Sequence, residues 1–270
     1  MAIILGLPAA YLVILLLLWA FQDRITFPAP RAALPDPQQV LGVGERIGLV
    51  MHDGTSLVGW YLPPKEAGQG PAPGLLWFYG NGETIGAIWP IIRDFRPPGA
   101  ALLVVDYPGY GASGGRATEA GIYEAGALAY RALANRPGVD RERIYVYGRS
   151  LGSAVATRTA ADYPAAGLIL ESAFTSARAM AARTYRVFPL FLVRLQLDNL
   201  ATIRGVRCPV LVFHGTADRL VPIEMGHRVA AAAPGPTEFV MIEGAGHNET
   251  YDVGGRAYRD KLWSFVHAAR

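Results

Sequence analysis

Beyond residue 40 the chain alternates two patterns. Short runs that are apolar on successive positions occur at 75–79, 101–106, 144–147, 167–170, 210–214 and 238–242, each followed by glycine, proline or an acidic residue. A strand with one wet face would alternate apolar and polar residues. Uninterrupted runs instead fit strands covered on both faces, and so a parallel sheet with helices on either side. Helix-like segments lie between them at about 84–95, 118–135, 151–163, 223–233 and 255–269. Two further runs, 45–51 and 56–62, flank His52-Asp53-Gly54-Thr55, whose Asp-Gly suits a hairpin turn. The pattern predicts an α/β fold, a doubly wound and mostly parallel sheet with antiparallel N-terminal strands.

The interval between the runs ending at 170 and starting at 210 is nearly forty residues, long for a plain connection. It reads either as an ordinary crossover helix with extra turns or as a helical cap over a pocket, at about 172–207. In the second reading Phe174, Tyr185, Phe188, Leu190, Phe191 and Leu192 supply the apolar wall that an acyl chain needs, with Phe174, Tyr185, Phe188 and Phe191 as the substrate-binding candidates.

Residues 1–21 carry no charge. As a helix they would extend about 30 Å, the thickness of a bilayer's hydrocarbon core. Trp19 and Phe21 would then fall at an interfacial aromatic belt. A cleaved secretory signal fits less well, because the apolar run is too long, no Lys or Arg precedes it, and no A-x-A site follows. The expectation is therefore a membrane protein with a single N-terminal anchor over 1–22, of unassigned orientation. A proline-rich linker at 23–38 would form a semi-rigid stalk over 27–37, leading to a catalytic domain at 39–270.

Composition narrows the chemistry. Across 270 residues, 25 Lys and Arg stand against 22 Asp and Glu, scattered and with no basic block interleaved with aromatics, so nucleic acid is not indicated. Cys208 is the single cysteine, which excludes a disulfide framework or a Cys-rich zinc site within one chain. The string GYGASG at 109–114 matches the dinucleotide-binding glycine pattern, but the glycines do not run straight into a helix and the next strand does not end in an acid. No P-loop or HExxH occurs, and no cofactor or metal is expected.

GRSLG at 148–152 matches G-x-S-x-G between a predicted strand and a predicted helix, the context in which the sharp turn presents a serine oxygen above a sheet. A serine hydroxyl needs a base to take its proton, and the base needs a carboxylate to hold it. Of five histidines, His247 in the glycine-rich EGAGHN loop after the last strand is best placed over the sheet's carboxyl edge, ahead of His214 at a strand end. Asp218 in FHGTADR is the candidate carboxylate, with Glu171 second and Asp106 third. The tetrahedral intermediate needs two donors, for which the Leu151 N–H and the Asn81 N–H in YGNGE are the candidates.

The strings FQDRITFPAP, FYGNGETIG, DYPGYGASGG, YGRSLGSAVA, ESAFTS, CPVLVFHGTADRLVP and EGAGHNET occur in that order. In them the chain resembles the α/β-hydrolase superfamily over nearly everything after residue 22, and more narrowly the single-pass, membrane-anchored α/β-hydrolase-domain proteins. The resemblance implies a Ser150–Asp218–His247 triad with an oxyanion hole at Asn81 and Leu151. The family often has histidine where Tyr79 stands, and this departure raises the expectation of a Tyr79 hydroxyl at the oxyanion. The function expected is a membrane-anchored serine hydrolase of carboxylic esters, lipid or thioester acyl groups included. The alternatives are a serine peptidase of the same fold and a catalytically silent hydrolase-fold binding protein.

Overall fold

The computed structural model describes residues 2–66, 68, 70–185 and 188–268. Its centre is an eight-stranded sheet of β1 (Glu45–Val50), β2 (Ser56–Leu62), β3 (Ala72–Phe78), β4 (Ala101–Val105), β5 (Val139–Arg149), β6 (Gly167–Glu171), β7 (Val210–Gly215) and β8 (Thr237–Ile242). The strand order is β1-β2-β4-β3-β5-β6-β7-β8. The hairpin β1–β2 and the pair β2–β4 are antiparallel, and every other pairing is parallel. Five of the continuous apolar runs are strands buried throughout, β4, β6 and β7, or the carboxyl halves of β3 and β5, whereas the sixth, 238–242, is the edge strand β8, of which Ile242 alone is buried.

Helices α4 (Ile85–Phe95), α5 (Glu119–Ala134), α6 (Leu151–Asp162), α9 (Ile223–Ala232) and α10 (Thr250–His267) cover the sheet. Thr84 and Thr118 cap α4 and α5 by accepting from the amides of Ala87 and Gly121, which fixes where those helices begin. The expected helix over 255–269 is the second part of α10: Gly255, at φ 47° and ψ −126°, breaks the helical path there. Ala269 lies outside the described residues.

The interval 172–207 is no elongated crossover helix. It folds into α7 (Ala177–Thr184), a 3-10 turn at Leu190–Leu192 and α8 (Asn199–Thr202). No residue of α7 is buried in the core, so this helix sits over the domain rather than within it.

The expectation of a membrane-spanning anchor is corrected. Among the described residues no helix is long and apolar enough to cross a membrane. The apolar run forms α1 (Ala2–Ala20), followed by a short α2 (Gln22–Thr26). Met1 and the side chains of residues 2–8 lie outside the described part. At the junction, chain expected to stand clear of the domain is fastened to it. The Arg194 guanidinium lies 5.0 Å from the Trp19 ring centroid, and the Gln22 amide donates to the Leu192 carbonyl.

The proline-rich stretch is a strap rather than a free stalk. Phe27 and Leu34 are buried, Arg31 makes a parallel bridge with Gly111, and the Trp60 indole N–H donates to the Pro35 carbonyl at 3.1 Å. α3 (Pro37–Leu41) closes the strap, with Asp36 as its cap.

Candidate active site

The sheet winds one way from β3 to β4 and the other way from β5 to β6. Strands β3 and β5 are neighbours, with Phe78 opposite Gly148, so the loops leaving their carboxyl ends diverge and open a crevice between them. One loop carries Gly80-Asn81-Gly82 and the other carries Ser150. Bringing sixty-odd residues of chain back to this point is the topology's contribution to the site.

Ser150 itself is bent out of the ordinary backbone menu, at φ 50° and ψ −116°. Such a non-glycine conformation costs about 1–3 kcal/mol and persists only where the surroundings impose it. Here they do. The Ser150 N–H donates to the Glu171 carbonyl at 2.9 Å, and both flanking glycines are sterically obligatory. A Cβ on Gly148 would lie 2.3 Å from the Gly152 carbonyl oxygen, and one on Gly152 would lie 2.2 Å from that of Phe78. The elbow is thus a close passage of three backbones with the serine at its tip.

His247, from the loop before α10, places Nε2 at 3.0 Å from Ser150 Oγ and Nδ1 at 2.7 Å from Asp218 Oδ2. Asp218 follows β7 and also accepts from the amides of Leu220 and Val221 through Oδ1, at 3.0 and 2.8 Å. Burial alone would push its pKa up. Hydrogen bonds from His214 and His247 and the Val221 amide outweigh that cost and hold the carboxyl well below the usual range, so it stays ionised. His214 is fully buried behind it and pairs its Nε2 with the Val221 carbonyl at 2.8 Å. The two other carboxyl candidates are engaged elsewhere. Glu171 bonds Arg149 and hydroxyls beneath the site, and Asp106 accepts from the amides of Ile85 and Ala112.

Asn81, Ser150 and Leu151 line one cavity of about 270 Å3. Leu151 opens α6, so its N–H has no carbonyl within the helix to reach. The Asn81 side chain is committed in both directions: its amide donates to the Thr26 carbonyl at 2.6 Å and its oxygen accepts from the Tyr110 hydroxyl at 2.6 Å. That leaves the backbone N–H as the group Asn81 could offer an oxyanion. The Tyr79 hydroxyl does not reach the oxyanion position. It turns down into the core, donating to Asp106 Oδ1 at 2.9 Å and accepting from the Tyr107 amide at 3.2 Å. Burial, reinforced by the Asp106 charge, raises its pKa well above the ordinary value and keeps it a donor.

Sequence reasoning gave Arg149 no role, since it occupies the variable position of the G-x-S-x-G string. Its guanidinium nevertheless joins the three loops of the site. Nη1 donates to Glu83 at 2.7 Å, Nε to Glu171 at 3.1 Å, and Nη2 to the His247 carbonyl and Asn248 Oδ1 at 2.7 and 2.9 Å. Glu83 in turn accepts from the Gly80 amide at 2.6 Å. Glu171 is fully buried and also accepts from the hydroxyls of Tyr147, Tyr258 and Thr250. The only local signal was an arginine among apolar neighbours at a strand end. Its partners lie 22 to 99 residues away and nothing in the string announces them.

Phe174 and Tyr185 line the cavity at Ser150, together with Ile25, Met180, Leu197 and Val221. Phe188 lines an adjoining hollow instead. Phe191 is 80% exposed and belongs to neither. Ile25 and Thr26 were not foreseen here, because a stretch expected to stand off from the domain gave no reason to place them beside Ser150. Among the described residues no cluster of three or more His, Cys, Asp or Glu side chains is placed to hold a metal ion.

A mostly parallel sheet with an antiparallel start, a strained serine at the switch point and a histidine–carboxylate pair facing it define a class, and the chain belongs to the α/β-hydrolase superfamily. Residues 71–204 match the family described as serine aminopeptidase, S33, a span that includes Ser150 and ends before Asp218 and His247. The chain is 34% identical over 256 residues to the uncharacterised protein Rv2307c of Mycobacterium tuberculosis, covering 94% of this chain and 90% of that protein. It is 35% identical over 169 residues to alpha/beta hydrolase domain-containing protein 17B of Homo sapiens, covering 61% of this chain and 56% of that protein. In fold it is similar to the esterase Pf2001 of Pyrococcus furiosus, with a TM-score of 0.72 at 19% identity over 88% of this chain and 97% of that one. It is also similar to the acetyl xylan esterase of Paenibacillus sp. R4, with a TM-score of 0.68 at 18% identity over 86% of each chain.

Proposed function

We infer that this chain is a serine hydrolase that cleaves carboxylic esters with an apolar acyl group, thioesters included, through an acyl-enzyme on Ser150. The observation that carries the reading is the continuous chain from Asp218 Oδ2 through both nitrogens of His247 to Ser150 Oγ, ending in a cavity without charged side chains. His247 Nε2 takes the hydroxyl proton as Oγ attacks the carbonyl, and Asp218 fixes the imidazole tautomer and stabilises the imidazolium. The amides of Asn81 and Leu151 receive the oxyanion. The imidazolium then protonates the leaving alkoxide, and a water, deprotonated by the same nitrogen, releases the acid.

The family description favours a second reading, a serine peptidase. An aminopeptidase would need an acidic partner for the substrate's ammonium group. The side chains around Ser150 are aliphatic, aromatic, hydroxyl or amide, which supports the ester reading. The test is hydrolysis of p-nitrophenyl esters set beside amino-acid p-nitroanilides, with Ser150→Ala as control. Ester turnover lost in a Ser150→Ala protein of native melting behaviour supports the reading. Anilide turnover at comparable rates transfers it to the peptidase, and turnover retained by Ser150→Ala refutes both.

A further inference from the structure

Three neighbouring hollows on the face above Ser150 share lining residues. The cavity at the nucleophile is bounded outwardly by Ile25, Thr26, Ala177, Ala181 and Tyr185. The same five residues bound a second hollow, which continues past Leu18 and Gln22. Leu18, Tyr185 and Phe188 then carry the path into a third, opening beside Tyr11 and Ile14. From Thr26 back to Leu18 the helices rise about 12 Å, so the passage is several methylene groups longer than the cavity at Ser150 alone.

The walls are built to leave this space. On α7, Ala177 and Ala181 stand one turn apart and face the passage with methyl groups only. Across from them α2 is held by Gln22, which is 8% exposed and uses both ends of its amide. Nε2 donates to the Leu192 carbonyl at 2.6 Å, and Oε1 accepts from the Arg194 amide at 2.8 Å. The helix is therefore fastened to the cap segment without filling the gap to α7. Among the described residues no charged side chain lines the two inner hollows, and Arg183 stands at the outer one.

We propose that the three hollows are one acyl channel, walled by α2 on one side and α7 on the other, which takes the unbranched aliphatic chain of a long-chain acyl ester. The proposal rests on the esterase reading for the position of the carbonyl at Ser150. The walls shared with the nucleophile's cavity, and the uncharged lining among the described residues, select an acyl chain over a polar occupant.

The full chain is assayed on p-nitrophenyl acetate, octanoate and palmitate, and palmitate binding is measured calorimetrically in the Ser150→Ala background. In the native protein kcat/KM rises with chain length, by up to about fourfold per buried methylene. Ile25→Trp, which fills the gap from the α2 side, lowers the palmitate-to-acetate ratio by at least about tenfold and weakens palmitate binding by a similar factor. Ala181→Trp does the same from the opposite wall. An unchanged ratio and unchanged palmitate affinity in both folded variants overturn the channel and leave the chemistry at Ser150 standing. Absent ester turnover, with palmitate binding that both variants still weaken, overturns the esterase reading and keeps the channel. Neither turnover nor binding in the native chain overturns both.

Discussion

Replacing Arg149 by Met separates what the guanidinium does for the fold from what it does for the reaction. The side chain is 5% exposed, and burial opposes its charge, yet Glu171 and Glu83 outweigh that penalty and raise its pKa further. Methionine keeps much of the volume and leaves Glu171, at 0% exposure, without its cationic partner. Breaking a buried pair in this way costs about 3–5 kcal/mol. At about 2–4 °C per kcal/mol for a domain of this size, the melting temperature falls by roughly 6–20 °C. The kinetic loss has a different origin. Without Nη1 the Glu83 carboxylate, and through it the Gly80 amide, loses its anchor; without Nη2 the His247 carbonyl does. A shift of about 1 Å in such groups lowers kcat by roughly 100-fold. The double variant Arg149→Met with Glu171→Gln removes the stranded charge, so most of the melting temperature returns while kcat stays low. Arg149→Lys keeps the charge but cannot span three loops, and recovers stability before rate. The assays are thermal unfolding by circular dichroism and ester kinetics with kcat and KM resolved. An Arg149→Met protein with kcat within threefold of native, or a double variant whose kcat returns together with its stability, refutes the positioning role.

Three further outcomes follow from the same geometry. Ser150→Gly relieves the strained φ that Ser150→Ala retains, so the glycine variant should unfold about 1 kcal/mol later than the alanine variant in urea, both being inactive; equal midpoints would remove the strain. Tyr79→Phe strips a donor from Asp106 and an acceptor from the Tyr107 amide, costing about 1–3 kcal/mol of stability while kcat changes little, because the hydroxyl faces the core; a large fall in kcat would return Tyr79 to the oxyanion. The folded Asp218 carboxyl titrates below its unfolded value, so the unfolded chain binds the extra proton as pH falls. Its contribution is fully present above about pH 4 and is lost as pH falls through the folded pKa. The stability gap between native protein and Asp218→Asn should therefore be constant from pH 6 to 8 and close in acid; a gap that widens in acid reverses the sign.

Much of the sheet was legible because burial on both faces writes itself into consecutive residues: 75–79, 144–147 and 167–170 are apolar at every step, while the helices that cover the sheet mix polar residues into their apolar ones. That Ser150, Asp218 and His247 come together was legible for a related reason. Each sits at a strand-to-loop transition marked by glycine, and chain order leaves few competitors. Arg149 and Gln22 were not legible: the partners of Arg149 are side chains and a carbonyl scattered over distant loops, and Gln22 works through a backbone carbonyl and amide, which carry no residue identity. Phe191 misled because an apolar side chain in a cap reads the same whether it faces the pocket or, as here, solvent. The N-terminal segment misled more deeply. An uncharged run is the signature of a bilayer span, and its tethers, Trp19 to Arg194 and Gln22 to Leu192 and Arg194, join segments about 170 residues apart.

Five tyrosines, Tyr79, Tyr107, Tyr147, Tyr251 and Tyr258, have pKa values pushed well above the ordinary range, burial being the leading cause in each. Groups of this kind add stability below about pH 10 and withdraw it as alkali ionises the unfolded chain but not the folded one. Phenolate formation at these positions therefore waits for the sheet to open. In an alkaline titration followed by near-ultraviolet absorbance, the exposed tyrosines will ionise first and gradually, and these five, with the fully buried Tyr110, in a late step. That step coincides with loss of secondary structure, so the molecule carries its own optical gauge of cooperative unfolding, free of any added dye.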